Sequence, residues 1–432
     1  MKVHVQPAPR QLAWCVLAYR AEALVKNLLI LIAAYWVLIH VVVLGLWWAH
    51  LRFWRRLGVT LPYEAVEELV MPDGGVIELR RVGRSQLEGA EGEVSNVPVL
   101  MIHGLAMNHR NHDTSEDFSF ARYLRNEGRD VWLLTLRSGR AARRHPRELL
   151  FGNPTTDFAS MVQHDLPVAV HEVLARTGQP QLDVAVFSMG GMLLYAGLDR
   201  TVDSKLVRRA AVFASPAKIR PLGALNLSRF LPRSLALSVP MTLMTRSFAF
   251  APRLVPSLLW RRLYNPRNVD AKVERAMLWD VWQDIPGRLG NDFVRWSSTN
   301  QGELTVDGVP VLPGLANVTV PACFFAGSVD WLAPIYTVHA GFEAWGHKAG
   351  KVDKHFVVLG RQTGTCDEYG HCDIAFGRHV KKEVFEPAAR FLRSGVLRLP
   401  ASATVTELHE AELHEVRELS TDYDAVNASP AQ

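Results

Sequence analysis

Three residues of this chain have the types, and stand in the order, that nucleophilic catalysis at a serine requires. Ser188 lies in "DVAVFSMGGMLL" (183–194), where an apolar run with strand character turns abruptly into one with helix character. A serine hydroxyl is a poor nucleophile at neutral pH. It needs a base, an acid to orient that base, and two N–H donors for the oxyanion that develops. On an α/β sheet the parts arrive in the chain order serine, acid, histidine. Asp330, in "FFAGSVDWLAP" (324–334), stands just beyond a late strand, where the acid belongs. The other place for it, after the preceding strand, reads "FASPAKIR" and has no carboxylate. A cap on the helix beginning near Pro334 is the structural alternative for Asp330.

The base must follow the last strand. "CDEYGHCDIAFG" (366–377) puts His371 in a loop at the start of a final helix expected from about His371 to Arg393. Of its rivals, His379 is expected inside that helix, pointing elsewhere, and His355 begins a strand. The expected oxyanion donors are the N–H groups of Met189, at a helix N-terminus, and Leu105, in "MIHGLAMNHR". There His103 and Gly104 form the turn, with His103 a scaffold residue. A serine on such a turn is commonly flanked as Gly-x-Ser-x-Gly, and here Val186 replaces the first glycine. Gly190 and Gly191 let helix and strand approach closely, Ala185 helps on the strand side, and neighbours must accommodate the bulk of Val186.

These residues need a sheet to position them, and the flanking sequence supplies one. "EAVEELVMPDGGVIELRRVG" (64–83) reads as two strands around a tight turn at Asp73-Gly74-Gly75. Residues 85–96 are polar and Gly-rich, hence a loop. Buried strands follow at 97–104, 130–136, 181–188 and 208–216, separated by helical stretches around 118–126, 158–176 and after Ser188. Such alternation gives βαβ units and a mostly parallel sheet covered on both faces. It stops at Ala217 and resumes at 318–334 and 354–360. The interval 217–315 is apolar, rich in Pro, Arg and Trp, and reads as a helical cap; no Asp or Glu occurs between Ser204 and Val269.

The 432 residues can bury a large core, and the net charge of +5 does not by itself call for nucleic acid. No zinc-finger spacing, phosphate-binding Gly-Lys loop or basic-aromatic run occurs, so no nucleic-acid partner, metal or cofactor is expected. Cys15, Cys323, Cys366 and Cys372 are too few for a disulfide framework. They read as free thiols, with Cys366 and Cys372 able to pair in an oxidising compartment. Asn27 to Ala49 is apolar except for Asn27 and His40, is long enough to span a bilayer, and ends in Trp47-Trp48 before Arg52, Arg55 and Arg56. It reads as a single-pass membrane anchor. Lys2, Arg10, Arg20 and Lys26 on the other flank leave the orientation open, with a cytoplasmic catalytic domain preferred.

With these pieces in order, the chain resembles the α/β-hydrolase superfamily, most closely its lipase and esterase members. "VLMIHGL", "GRDVWLLTLRSGR", "VFSMGG", "GSVDWLAP" and "YGHCDIAFG" carry the resemblance, over 64–216 and 318–393. The strings around Arg129 to Arg140 and His371 are similar to those of acid lipases of the gastric and lysosomal type. The resemblance implies Ser188 as nucleophile, Asp330 as acid, His371 as base, and Leu105 and Met189 as oxyanion donors. It also implies an acyl-enzyme hydrolysed by water, with no metal or cofactor. The expected organisation is an N-terminal flank (1–26), the anchor (27–49), a hydrolase core (57–216 and 316–397) split by the cap (217–315), and an acidic tail (398–432) containing "ELHEAELHEVREL". An apolar ester, lipid-like or sterol-like, is the expected substrate. The run "RFLPRSLALSVPMTLMTRSFAFAPRLVPSLLWRRL" reads either as a face resting on anionic headgroups beside the anchor or as an ordinary lid with a buried face. Two other functions share the fold: a catalytically silent lipid-binding or scaffold protein, and an acyltransferase.

Overall fold

Apolar runs stopped by glycine or by turn residues become ten strands: β1 (Ala65–Val70), β2 (Val76–Gly83), β3 (Val99–Ile102), β4 (Val131–Thr135), β5 (Leu182–Phe187), β6 (Val207–Phe213), β7 (Thr305–Val306), β8 (Val309–Pro310), β9 (Ala322–Gly327) and β10 (Lys354–Leu359). The computed structural model describes residues 9–84, 96–140, 155–221, 236–252, 260–299 and 301–399. The residues Lys2, 85–95, 222–235, 253–259 and the acidic tail from 400 onward lie outside the described residues, as does the side chain of Cys15.

Two units are distinguished, Met1–Arg56 and Leu57–Gln432. In the first, α1 (Pro9–Trp54) is one helix of 46 residues. It extends well beyond the expected 27–49 in both directions. The stretch before Asn27 is rich in Ala and Leu and carries Arg10, Arg20 and Lys26, all good helix formers, and proline is tolerated in a first turn. Leu24–Leu57 is apolar enough to cross a membrane, with mean hydropathy 2.6. Its large apolar side chains are exposed all round the helix. Within the apolar run, His40 bonds the carbonyl of Trp36 one turn back at 2.7 Å. At the C-terminal end Arg52 lies over Trp48, and Arg56 over Phe53 and Trp54.

In the second unit eight strands form one sheet in the order β1-β2-β4-β3-β5-β6-β9-β10. The β1–β2 and β2–β4 pairs are antiparallel, and all pairs from β4 to β10 are parallel. Strands β3, β4, β5 and β9 are buried at every position, as expected when helices cover both faces. The flanking helices include α2 (Phe120–Asn126), α3 (Leu166–Thr177) and α4 (Met189–Gly197). The turn before α3, Met161–Asp165, has π geometry and brings Asp165 to Arg137. The arginines around β4 are buried on carboxylates, Arg129 on Asp183, Arg137 on Asp165 and Asp73. Their charge therefore serves packing at the strand ends.

Between β6 and β9 come α5 (Met241–Phe248), α6 (Ala271–Asp280), α7 (Gly287–Ser297) and the β7–β8 hairpin. The chain then runs through β9, α8 (Ile335–Ala344) and β10. The final helix expected from His371 to Arg393 is two pieces, α9 (Asp373–Phe376) and α10 (Glu386–Ser394), the latter preceded by a π turn at Lys381–Phe385. Gly377 breaks it by taking an extended conformation. As a result His379 lies in the turn between the pieces, exposed, with Nε2 3.8 Å from Asp367. Cys323, Cys366 and Cys372 are free thiols.

Candidate active site

Ser188 directly follows β5 and directly precedes α4, at the carboxyl edge of the sheet. Its backbone is forced to φ 52°, ψ −118°, a region that costs a non-glycine residue about 1–3 kcal/mol. Three hydrogen bonds hold it there. Ser188 N–H donates to Phe213 O in β6 (2.9 Å), and Ser188 O accepts from the N–H groups of Gly191 (2.9 Å) and Met192 (3.2 Å).

The two glycines after the serine have different partners. A Cβ on Gly190 would lie 2.5 Å from Ile102 O and 3.0 Å from His103 O, so only glycine lets α4 come down onto the end of β3. A Cβ on Gly191 would meet Ser215 Oγ at 2.2 Å and Val186 Cγ2 at 3.4 Å. Gly191 therefore makes room for the Ser215 side chain, with Val186 at ordinary contact distance. Val186 is fully buried between its strand neighbours Ile102 and Val212.

Asp330 and His371 converge on the serine from loops after β9 and β10. His371 Nε2 lies 2.9 Å from Ser188 Oγ, and Nδ1 lies 2.8 Å from Asp330 Oδ2. The Asp330 side chain is completely buried. Its second oxygen, Oδ1, accepts from the N–H groups of Leu332 (2.9 Å) and Ala333 (2.8 Å), so it orders the loop ahead of α8 while facing the imidazole with Oδ2. That carboxylate makes Nδ1 the protonated nitrogen and leaves Nε2 to accept from the serine hydroxyl. Phe187 packs edge-on against the His371 ring at 5.1 Å.

The loop after β3 lies beside the serine. A Cβ on Gly104 would stand 2.9 Å from Ser188 Cβ. His103 is buried beneath it, with Nδ1–H donating to Gly104 O (2.8 Å) and Nε2 accepting from Leu136 N–H (3.0 Å). Burial holds its pKa down to about 4, so the ring stays neutral and acts as a brace. The next residues are Leu105 and Ala106, the latter at φ 57°. The stretch after α6 clamps this loop, for Gln283 N–H donates to Ala106 O (2.8 Å) and Asn108 N–H to Val281 O (3.1 Å). Met189 opens α4, where an N–H has no preceding helical carbonyl to meet. The five residues singled out in the sequence, Leu105, Ser188, Met189, Asp330 and His371, thus come together at one edge. His355 is elsewhere, paired with Asp353 at 3.0 Å.

No family model matches the chain. Three curated proteins are similar to it in part. Sterol esterase 2 of Saccharomyces cerevisiae is 30% identical over 151 residues, covering 34% of this chain and 27% of that protein. Gastric triacylglycerol lipase of Homo sapiens is 27% identical over 180 residues, 39% of this chain and 43% of that protein. Triacylglycerol lipase 2 of Arabidopsis thaliana is 26% identical over 156 residues, 35% and 37% of the two chains. The chain has the α/β-hydrolase fold and is similar, over about a third of its length, to lipases and esterases. It spans less than half the length of the curated relatives it matches. Among solved structures, a thermophilic esterase from Thermogutta terrifontis has a TM-score of 0.48 at 15% identity, over 76% of this chain and 98% of that one. An esterase from Exiguobacterium antarcticum has a TM-score of 0.46 at 15% identity, over 76% and 99%.

One element beside the candidate site had no reading in the sequence. Asp373, fully buried two residues after His371, accepts from Gly370 N–H (3.0 Å), Asn265 N–H (3.1 Å) and Asn268 Nδ2 (2.9 Å). Burial, opposed by these donors, pushes its pKa up to about 6. Cys372 N–H in turn donates to Leu263 O at 2.9 Å. The histidine loop is therefore fastened to the stretch 263–268 between β6 and β9. It also closes tightly over β9, because a Cβ on Gly327 would fall 2.4 Å from Tyr369 O. The only sequence signal was the acid following His371 so closely.

Proposed function

We propose that this protein is a membrane-anchored serine hydrolase that cleaves carboxylic esters of apolar, lipid-like or sterol-like substrates through an acyl-enzyme on Ser188. The observation that carries this is the hydrogen-bonded line Ser188 Oγ–His371 Nε2, His371 Nδ1–Asp330 Oδ2, at 2.9 and 2.8 Å. His371 takes the Ser188 proton as the oxygen attacks the ester carbonyl, then delivers that proton to the departing alcohol. Water activated by the same histidine hydrolyses the acyl-enzyme, and the serine regains its proton. Asp330 holds the imidazole in its tautomer and stabilises the imidazolium formed in each half. The N–H groups of Met189 and Leu105 receive the oxyanion, aided at Met189 by the N-terminus of α4.

Lipid-like esters are supported by the names of the relatives, a sterol esterase and two triacylglycerol lipases. Helix α1 supports anchoring: full-length protein should stay with membranes after alkaline carbonate extraction. The catalytic test is labelling of detergent-solubilised full-length protein with a fluorophosphonate probe, beside Ser188→Ala. Labelling lost in the variant, together with hydrolysis of long-chain esters, is the expected result. A folded wild-type protein that takes no label would leave a silent lipid-binding fold as the better account.

A further inference from the structure

Ala106, next to the expected oxyanion donor Leu105, has φ 57°, a conformation that a non-glycine residue keeps only when its surroundings hold it. One short stretch does the holding. Residues 106–108 lie antiparallel along 281–283, with Gln283 N–H on Ala106 O, a bridge between Met107 and Trp282, and Asn108 N–H on Val281 O. That stretch follows α6 directly, so the end of α6 fixes where the loop after β3 can sit.

The last residue of α6 is an acid, the wrong sign for that end of a helix. The final turn, Met277 to Asp280, has no cation to offset it. Other bonds place Asp280 there. Its Oδ2 accepts from Val59 N–H at 2.7 Å and stands 3.6 Å from Nη2 of the buried Arg110. Its carbonyl accepts from Asn108 Nδ2 at 2.8 Å, and Asn108 Oδ1 accepts in turn from Arg110 N–H at 2.9 Å. Gly58 lets the chain come this close, since a Cβ there would lie 3.0 Å from the Trp279 ring and 3.2 Å from Asp280 Oδ1. One aspartate thus joins the segment that opens the second unit to the loop after β3.

We propose that Asp280 is a positioning residue for ester hydrolysis: by tying residues 58–59 to Asn108 and Arg110, it sets the Leu105 N–H where the oxyanion forms. This rests on the serine-hydrolase function above. The carboxylate acts through the loop. Its loss leaves the bond between Ser188 and His371 in place and slackens a donor that matters most as the carbonyl becomes tetrahedral. The effect therefore falls on kcat and spares KM.

The test uses full-length protein in detergent and a long-chain p-nitrophenyl ester. Asp280→Ala should lower kcat roughly tenfold with KM held within about twofold, less than the 10²–10³ that follows outright removal of an oxyanion donor. Asp280→Asn keeps an oxygen for the Val59 N–H and should recover most of the loss. Val59→Pro deletes that N–H from the other side of the bond. It should repeat the loss, and adding it to Asp280→Ala should change kcat little further. Asp270→Ala is the structural control, because it removes the cap at the far end of the same helix, where Oδ1 accepts from Lys272 N–H at 2.8 Å. It should lower the melting temperature and leave kcat at the wild-type value. An unchanged kcat in folded Asp280→Ala or folded Val59→Pro overturns the proposal, as does an equal loss in Asp270→Ala. Val59→Pro alone decides the matter if Asp280→Ala does not fold. Hydrogen exchange at residues 104–109 separates this proposal from the catalytic one. Faster exchange in Ser188→Ala/Asp280→Ala than in Ser188→Ala upholds the tie even in a protein that takes no fluorophosphonate, and equal exchange refutes it.

Discussion

Val186→Gly would place a glycine on both sides of Ser188 in the common spacing, and it is expected to weaken the protein without quickening the serine. Val186 is fully buried in β5, paired with Ile102 and Val212, and lies in van der Waals reach of Gly191. Exposing a cavity in place of a buried valine costs about 1.5–3 kcal/mol, and glycine in a strand interior adds about 0.5–1. For a folded unit of roughly 300 ordered residues the unfolding entropy is near 0.6 kcal/mol per degree, so the melting temperature should fall by about 5 °C. The serine's φ of 52° is held by bonds to Phe213, Gly191 and Met192 that Val186 does not make. The second-order rate of fluorophosphonate labelling should therefore be unchanged or lower. Thermal unfolding in detergent and labelling kinetics on the same preparation decide it. A variant that melts with the wild type and labels severalfold faster would show that Val186 restrains the nucleophile and refute the reasoning.

Gly190→Ala sets a Cβ 2.5 Å from a backbone oxygen that cannot rotate away. The expected overpacking cost is about 1–3 kcal/mol, with labelling lost because α4 must shift, and a structure or melting curve like wild type would contradict it. Asp330→Asn keeps an oxygen for the Leu332 and Ala333 N–H groups but presents the imidazole with the wrong partner. Folding should survive while ester turnover falls about 10⁴-fold, and a loss under tenfold would remove Asp330 from the proposed mechanism. Asp373 has its folded pKa raised to about 6, against about 3.9 unfolded, so the folded state holds the proton more tightly. Its contribution is full below about pH 4 and is lost as the pH rises through about 6. Asp373→Asn should flatten that descending part of the melting-temperature profile, and an unaltered slope would count against the assignment.

The strands were legible because each is an apolar run cut off by a turn residue, and Ser188, Asp330 and His371 were legible because they sit just past such runs. Sheet order was not, since nothing local in "DVWLLTL" says that β4 lies between β2 and β3. Helix continuity misled at the C-terminus. The apolar spacing on either side of Gly377 suits one helix, and only the tertiary setting shows the glycine extended, with His379 in a turn as the result. Helix α1 outran its apolar core because helix propensity does not stop where hydropathy does. Asp373 was invisible for another reason: a buried acid with three donors looks, in sequence, like any surface acid. The bonds of Asp280 with Val59 and Asn108 join residues far apart in the chain, which periodicity cannot connect.

The clasp around Asp373 constrains how anything reaches the serine. The stretch 263–268 is bonded to the histidine loop on both sides of His371, through Leu263 to Cys372, Asn265 to Glu368 and Asp373, and Asn268 to Asp373 and Arg378. It works as a splint. Were the cap to swing away in one piece, it would take the imidazole with it and disarm the serine as the door opened. A substrate path that leaves 263–268 in place keeps the imidazole on Ser188. The segment 237–248, which turns Leu237, Met244 and Phe248 outward, is tied in turn to 279–285, through Val239 to Ile285, Thr242 to Asp284 and Arg246 to Trp279.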